Sequence, residues 1–480
     1  MSDPDPRRWR ALSVCLVAGF MTLLDVSIVN VALPSIRADL SATTSDLQWV
    51  LSGYALAFGL VLVPAGRVGD ALGRRRTFVG GLALFTVASA ACGLAPDASW
   101  LVAARLLQGV GGGTLTPQVS ALIQHLFAGP ERGRAFGLLG ASIGLSTAVG
   151  PLAGGLILVG VPGDGAWRWV FLVNLPVGVL AVVLARRLIP PDAVTGARQS
   201  LDPVGVLLLA SALTLMLLPL LEGRELPPPA AVASLLAAAV LLGAFVGWER
   251  RYLRTGRTPV VDLRLLATGA YAAGVSVGLL YFAGFTSIFF VLTLFLQSGL
   301  GYSPLEAGLA QTPFAVGGAV AAPLAGRAVH RLGRPLVVAG LLVTATGLVA
   351  SWVVVELLTD RVGGAGLGWA LALPLVVGGA GSGLVISPNT TLTLAEAPLR
   401  GAGSAAGVLQ TAQRIGSAAG IAAVGAAFFA VLGDDEWRPA LGAGFGVALA
   451  FVVAALVPAV WDLRRRRSAR HAEAATGPRV

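Results

Sequence analysis

Gly66-Arg-Val-Gly-Asp-Ala-Leu-Gly-Arg-Arg-Arg76 joins two long apolar runs, near 48–69 and 77–95. A truncated echo, Gly326-Arg-Ala-Val-His-Arg-Leu-Gly-Arg334, recurs 260 residues later. Both copies set two glycines seven residues apart and place Arg directly after the second. Glycine permits a tight turn and close helix contact. Short basic loops mark the cytoplasmic face of a membrane protein. The repeat therefore predicts a membrane-spanning chain with two related halves, and a hinge at each copy.

Composition points the same way. The 480 residues are 56% hydrophobic and 12% charged, with mean hydropathy +0.81. A soluble domain of this size cannot hide that much apolar surface. The formal charge of +10 would suggest a nucleic-acid partner in a soluble chain. Here a bias of basic residues to the inner face accounts for it, so no nucleic-acid partner is expected. Cys15 and Cys92 lie inside apolar runs and read as packing residues. His125, His330 and His471 are scattered, so no metal site is expected. Phosphate-cradling loops, nucleophile elbows and zinc-binding helices are absent from the sequence. The chain is thus read as no enzyme, with no catalytic residue and no cofactor.

A spanning helix needs about 20 predominantly apolar residues. Fourteen such runs occur, near 11–33, 48–69, 77–95, 99–124, 133–159, 168–188, 202–222, 229–249, 270–297, 305–326, 335–355, 367–392, 402–431 and 439–462. They are too long for strands and lack period-two alternation. The first run is also too long for a cleaved signal peptide and is expected to remain as a span. With both termini inside, 27 of the 34 basic residues face the cytoplasm. Only Arg37, Arg168, Arg224, Arg361 and Arg438 face outward, which fixes the expected orientation. The two copies of the Gly-Arg loop follow runs two and ten. The predicted fold is therefore all-α and polytopic, with six plus two plus six helices. Residues 1–190 form one bundle, 191–264 two inserted helices with linkers, 265–462 a second bundle, and 463–480 a basic cytoplasmic tail. Parallel six-helix halves place a binding site between them at mid-membrane.

Few polar residues lie within the runs. Asp25 sits deep in the first, and an intramembrane carboxylate normally marks an ion or substrate path. The alternative is a packing carboxylate held by Ser27 or Asn30. Arg105 lies in the fourth run, within Arg105-Leu-Leu-Gln-Gly109. At about 1.5 Å rise per residue, both Asp25 and Arg105 stand about 21 Å above the inner face. They can therefore pair, and protonating Asp25 would release Arg105. Arg105 can instead pin backbone carbonyls or Gln108. Arg414 sits near mid-membrane beside Gln410 and Gln413, and lines a cavity or packs against a carbonyl. Asn30, Gln108, Gln410 and Arg414 are the candidate cavity residues.

The 66–76 loop is read as a conformational latch. Asp70 can accept bonds from helix-end amides or from a neighbouring Arg. Gly69 and Gly73 permit a tight turn and close helix contact, Gly66 opens the latch, and Arg74, Arg75 and Arg76 can bind lipid phosphate or helix ends. In the fifth run, small residues spaced by four allow close helix approach, and Pro151 bends the helix. Glu306 opens the tenth run as a structural residue. Arg464–Arg467 anchors the tail on anionic lipid.

Together these motifs resemble the major facilitator superfamily, specifically its fourteen-span drug:proton antiporters. The resemblance covers nearly the whole chain. Gly66–Arg76 is similar to the family's loop between spans two and three, with Ala71 where a basic residue usually follows the Asp. Arg105–Gly109 resembles the span-four motif, whose Arg is implicated in proton coupling. Gly137, Gly150, Pro151, Gly154 and Gly155 match the antiporter motif of span five, with Ser146 replacing a usual Gly. Leu24–Pro34 and Trp167–Gly178 resemble two further features of the group. His330 stands where an Asp would complete the second latch. The resemblance implies a proton-driven multidrug exporter in the cell inner membrane, with membrane lipids, protons and a small-molecule substrate as partners. It identifies neither the substrate nor any obligate protein partner. A lipid or envelope-precursor exporter of the same fold is the main rival. A non-transporting sensor or scaffold is a third reading.

Overall fold

The computed structural model describes residues 6–191, 201–222, 226–432 and 436–476. The expected boundary near residue 190 adjoins 192–200, which lie outside the described residues, as do Arg224 and residues 477–480 of the tail. Seventeen α-helices and no strand occur among the described residues. In chain order they are α1 (Arg8–Leu40), α2 (Thr44–Leu72), α3 (Arg74–Gly93), α4 (Ala98–Leu126), α5 (Gly129–Gly160), α6 (Arg168–Leu172), α7 (Asn174–Leu188), α8 (Pro203–Glu222) and α9 (Pro228–Arg254). There follow α10 (Leu263–Ala267), α11 (Gly269–Leu294), α12 (Pro304–Leu332), α13 (Arg334–Ala370), α14 (Ala372–Leu394), α15 (Ala402–Val431), α16 (Trp437–Ala454) and α17 (Leu456–Thr476).

Ten of the described helical stretches are long and apolar enough to cross a membrane. The other four expected runs, at 99–124, 133–159, 202–222 and 305–326, fall on α4, α5, α8 and α12. Burial explains the weak apolar signal of α4. Its polar Arg105, Gln108 and Gln118 are at most 1% exposed, so they face protein.

The Gly66–Arg76 segment is less of a loop than its composition suggests. Helix α2 continues to Leu72, and only Gly73 leaves helical geometry, at φ 108°. A side chain is strained at such a φ, so the break falls on a glycine. Gly333, at φ 62°, makes the equivalent break between α12 and α13. The echo extends further than these turns. Helices α2 and α12 are both 29 residues long. Thr43 with Asp46 starts the first and Ser303 with Glu306 the second, each as a reciprocal capping box. This satisfies otherwise orphaned amides at the helix start and gives Glu306 its role.

The duplicated glycines also do the same packing work. A methyl at Gly66 would collide with the Gly403 carbonyl at the start of α15. A methyl at Gly326 would collide with the Gly133 carbonyl near the start of α5. Each glycine thus brings one half of the chain against the other at the end that carries Gly73 and Gly333. The contact continues along the helices. Along α5, a Cβ would meet α12 at 2.8 Å from Gly137, 3.1 Å from Gly140 and 3.3 Å from Gly144. Along α2, a Cβ at Gly59 would meet nothing within 4 Å. The halves are closed at the Gly73 end, and α5 stays in close contact with α12 as far as Gly144.

Candidate functional site

Six helices build one polar cluster inside the first half. Asp25 of α1 is fully buried and Arg105 of α4 is 1% exposed. Arg105 NH1 donates to Asp25 Oδ2 at 2.5 Å. Gln108, one turn along α4, donates through Nε2 to Asp25 Oδ1 at 2.8 Å. Asn174, at the start of α7, donates to the same oxygen at 3.1 Å. Ser89 of α3 accepts from both amides, at 3.1 Å and 3.0 Å, and gives its own proton to the Phe171 carbonyl at 3.0 Å.

The guanidinium is held equally fully. Its Nε donates to the Val50 carbonyl of α2 at 3.0 Å, and NH1 also reaches Gln108 Oε1 at 2.7 Å. The Tyr54 ring centroid lies 4.2 Å away and the Phe171 ring 5.7 Å away, so aromatic faces shield the cation. Desolvating two charges costs several kcal/mol per ion, and only good geometry with further hydrogen bonds repays it. Here both charges have that support. Each charge is the other's counter-ion within the cluster.

Ser27 and Asn30 do not hold Asp25. Ser27 donates to the Leu24 carbonyl at 3.0 Å and to the Ser146 carbonyl of α5 at 3.3 Å. Asn30 is exposed and bonds back to Val26 O at 3.3 Å. Gln108 belongs to the buried cluster instead of a cavity wall. Gly150 and Gly154 lie against Ser27 and Ile28, two and three residues beyond Asp25, so α5 packs directly on the carboxylate's helix. Nothing lies within 4 Å of a Cβ at Gly155. Pro151 is on α5, with its side chain outside the described residues.

The second site is the Gly73 end of α2. Asp70 reaches across to the N-terminus of α15. It accepts from Gly403 N at 3.1 Å, Ser404 N at 2.9 Å and Ser404 Oγ at 3.1 Å. A carboxylate is favoured there because helix starts carry unpaired amides and partial positive charge. Arg74 pairs with Asp70 at 3.1 Å and donates to Leu399 O at 2.6 Å, again across the halves. Arg75 donates to the Arg186 carbonyl at the end of α7. Gln118 of α4 donates to Ala65 O at 2.8 Å, tying α4 to this segment. A Cβ at Gly69 would strike that same Gln118, which explains the glycine.

The other copy is wired differently. Arg334, the counterpart of Arg74, pairs with Asp462 of α17 at 2.5 Å and with Asn389 Oδ1 of α14 at 2.6 Å. His330 leaves no carboxylate on α12 for the role of Asp70. Of the remaining cavity candidates, Gln410 donates to Ser120 Oγ of α4 at 3.2 Å, bridging the halves. Arg414 lies over the Phe58 ring at 4.7 Å. Between the halves, Gly140 and Gly144 face Phe285, Phe289, Phe314 and Ser382 around a narrow apolar space of about 30 Å³. No group of three or more His, Cys, Asp or Glu suited to a metal occurs among the described residues.

The sequence alone does not point to Asn174 or Ser89 as partners of Asp25. Asn174 lies inside the Trp167–Gly178 stretch, where a polar residue at helix depth is the available signal. Ser89 carried none.

The family model described as Major Facilitator Superfamily matches residues 15–421, and again 274–479. The chain is similar to a probable actinorhodin transporter of Streptomyces coelicolor, with 41% identity over 436 residues, covering 90% of this chain and 74% of the relative. It is also similar to a puromycin resistance protein of Streptomyces alboniger, 38% identical over 467 residues, covering 95% and 90%. The crystal structure of the human organic anion transporter MFSD10 aligns with TM-score 0.67 at 16% identity, covering 95% of this chain and 100% of that one. At that identity the likeness is one of fold.

Proposed function

The chain belongs to the Major Facilitator Superfamily, and from that premise we propose that it is a proton-coupled exporter of hydrophobic or amphipathic small molecules working by alternating access. Relatives named for transport and antibiotic resistance support secondary active movement of a small molecule across the cell inner membrane. The sealed Asp25–Arg105 pair is the observation that carries proton coupling.

In this reading all fourteen apolar runs cross the membrane, as fourteen-span members of the family do. Residues 1–190 and 265–462 are the two bundles, 191–264 the inserted pair, and 463–480 the tail. The Gly73 end and both termini are cytoplasmic, so the closed end faces the cell interior. A proton entering from outside takes Asp25 and displaces Arg105. Helix α4 carries that change toward Gln118 and the α2 end, where Asp70 and Arg74 hold the halves together. Opening there admits substrate from the cytoplasm, and proton release inward resets the pair. The Gly150–Gly155 segment lets α1 and α5 slide closely while keeping the cleft sealed.

A resistance and efflux panel in a pump-deficient host tests the reading, comparing the unmodified chain with Asp25→Asn at equal membrane levels. Substrate accumulation should fall with the unmodified chain alone. Equal efflux by both proteins would reject the proton-coupling assignment.

A further inference from the structure

Two arginines, Arg105 and Arg414, lie deep within the apolar runs, and Arg105 has Asp25 as its carboxylate at 2.5 Å. Arg414 is the exception. It stands twelve residues into α15, about 18 Å from the Gly73 end at 1.5 Å per residue. Among the described residues it has no ion-pair partner within 4.0 Å and no hydrogen-bond acceptor. Its guanidinium lies over the Phe58 ring, at 4.7 Å. The titratable group facing it is the Tyr54 phenol, which does not ionise near neutral pH.

A guanidinium at membrane depth is costly unless paired, and a chain that keeps one normally uses it on a ligand or ion path. The neighbours of Arg414 support a ligand. Gln410, Thr411 and Ser417 occupy positions four before, three before and three after it, on adjoining turns of α15. Gln410 Oε1, Thr411 Oγ1 and Ser417 Oγ are all buried without a hydrogen-bond partner. Gln410 spends its amide on Ser120, across the boundary between halves. The group therefore lies where the two halves face each other, with unspent polar atoms around an unpaired cation. Buried polar atoms are almost always satisfied in a completed structure.

We propose that Arg414 is the counter-ion for an anionic group on the transported molecule, and that this chain selects aromatic acids or phenolates over organic cations. The inference rests on the transport reading above. Arg suits this task because its planar fork matches a carboxylate while its face stacks on an aromatic ring. Phe58 already takes one such stacking contact. Both charges of the Asp25–Arg105 pair are satisfied internally, so that pair offers no competing anion site.

The test measures binding to the purified full-length chain in detergent by fluorescence anisotropy, without a proton gradient. Three aromatic probes are compared at mildly alkaline pH: anionic fluorescein, cationic ethidium and neutral Nile red. The unmodified chain should bind fluorescein more tightly than ethidium. Arg414→Gln should weaken fluorescein binding about tenfold, the loss of one charge-assisted contact. Nile red binding should be unchanged in the same variant. Arg414→Lys should retain part of the affinity, and Arg414→Glu should invert the preference toward ethidium. Fluorescein bound no more tightly than ethidium by the unmodified chain would overturn the inference, whatever the variants do. So would undiminished fluorescein binding in folded Arg414→Gln. Because no gradient is applied, a failure of proton coupling leaves this result standing, and the converse also holds.

Discussion

Asp70→Asn should open the closed end of the molecule. The carboxylate accepts three hydrogen bonds from Gly403 and Ser404 on the opposite half, at 2.9–3.1 Å. Asparagine keeps one acceptor oxygen at that position and loses the charge. A hydrogen bond to a charged group contributes about 1.5–3 kcal/mol. Charge at a helix N-terminus adds about 0.5–1 kcal/mol. The substitution should thus cost the closed state about 2–4 kcal/mol, a shift of roughly 30- to 1,000-fold in the closed-to-open ratio. The assay is double electron–electron resonance between spin labels on Leu72 and Leu332. These residues end α2 and α12, belong to different halves, and are 57% and 53% exposed. Cys15 and Cys92 are buried and free, so both are replaced first. The label distance should lengthen and broaden in Asp70→Asn. A distribution superimposable on that of the parent would refute the latch, provided the variant melts as a folded protein.

Gly326→Ala should also prevent closure, because its methyl meets the Gly133 carbonyl. Folding should be unharmed, since alanine favours a helix by about 1 kcal/mol over glycine; the same label pair reads it. Asn174→Leu removes one of three donors to Asp25. An unmet hydrogen bond of about 1–3 kcal/mol in a buried site predicts gradient-driven flux reduced roughly tenfold or more, measured in proteoliposomes at matched protein content. Arg334→Gln should destabilise the fold by about 1–3 kcal/mol, because the buried Asp462 then keeps only Arg466, at 3.3 Å, as a counter-ion. Thermal unfolding checks this. Combining it with Asp462→Asn should cost less than the sum of the single changes.

The helical plan was legible because the apolar runs are long and the polar interruptions are punctuated by Gly and Arg. The meeting of Asp25 with Arg105 was also legible, because depth follows from residue count along a straight helix. The remaining partners were not. Asn174 and Ser89 are uncharged and ordinary in composition, and only the packing of α3 and α7 against α1 turns them toward the carboxylate. Gln108 shares a helix face with Arg105, so sequence alone could not decide between cluster and cavity. Gly66 was legible only as a residue of the latch, and its use in seating the start of α15, 337 residues away, was not. Asp462 as partner of Arg334 was equally hidden, since it lies in the final helix far from the repeat.

The central claim is that a proton and substrate move in opposite directions through a cycle governed by Asp25. It is tested most directly in proteoliposomes holding the purified chain, a pH-sensitive dye inside, and a transported compound taken from the efflux panel. Imposing a gradient of that compound alone should drive protons the other way, seen as a change in internal pH that Asp25→Asn abolishes. Substrate movement with no accompanying pH change, or an equal pH change in Asp25→Asn, would contradict the account.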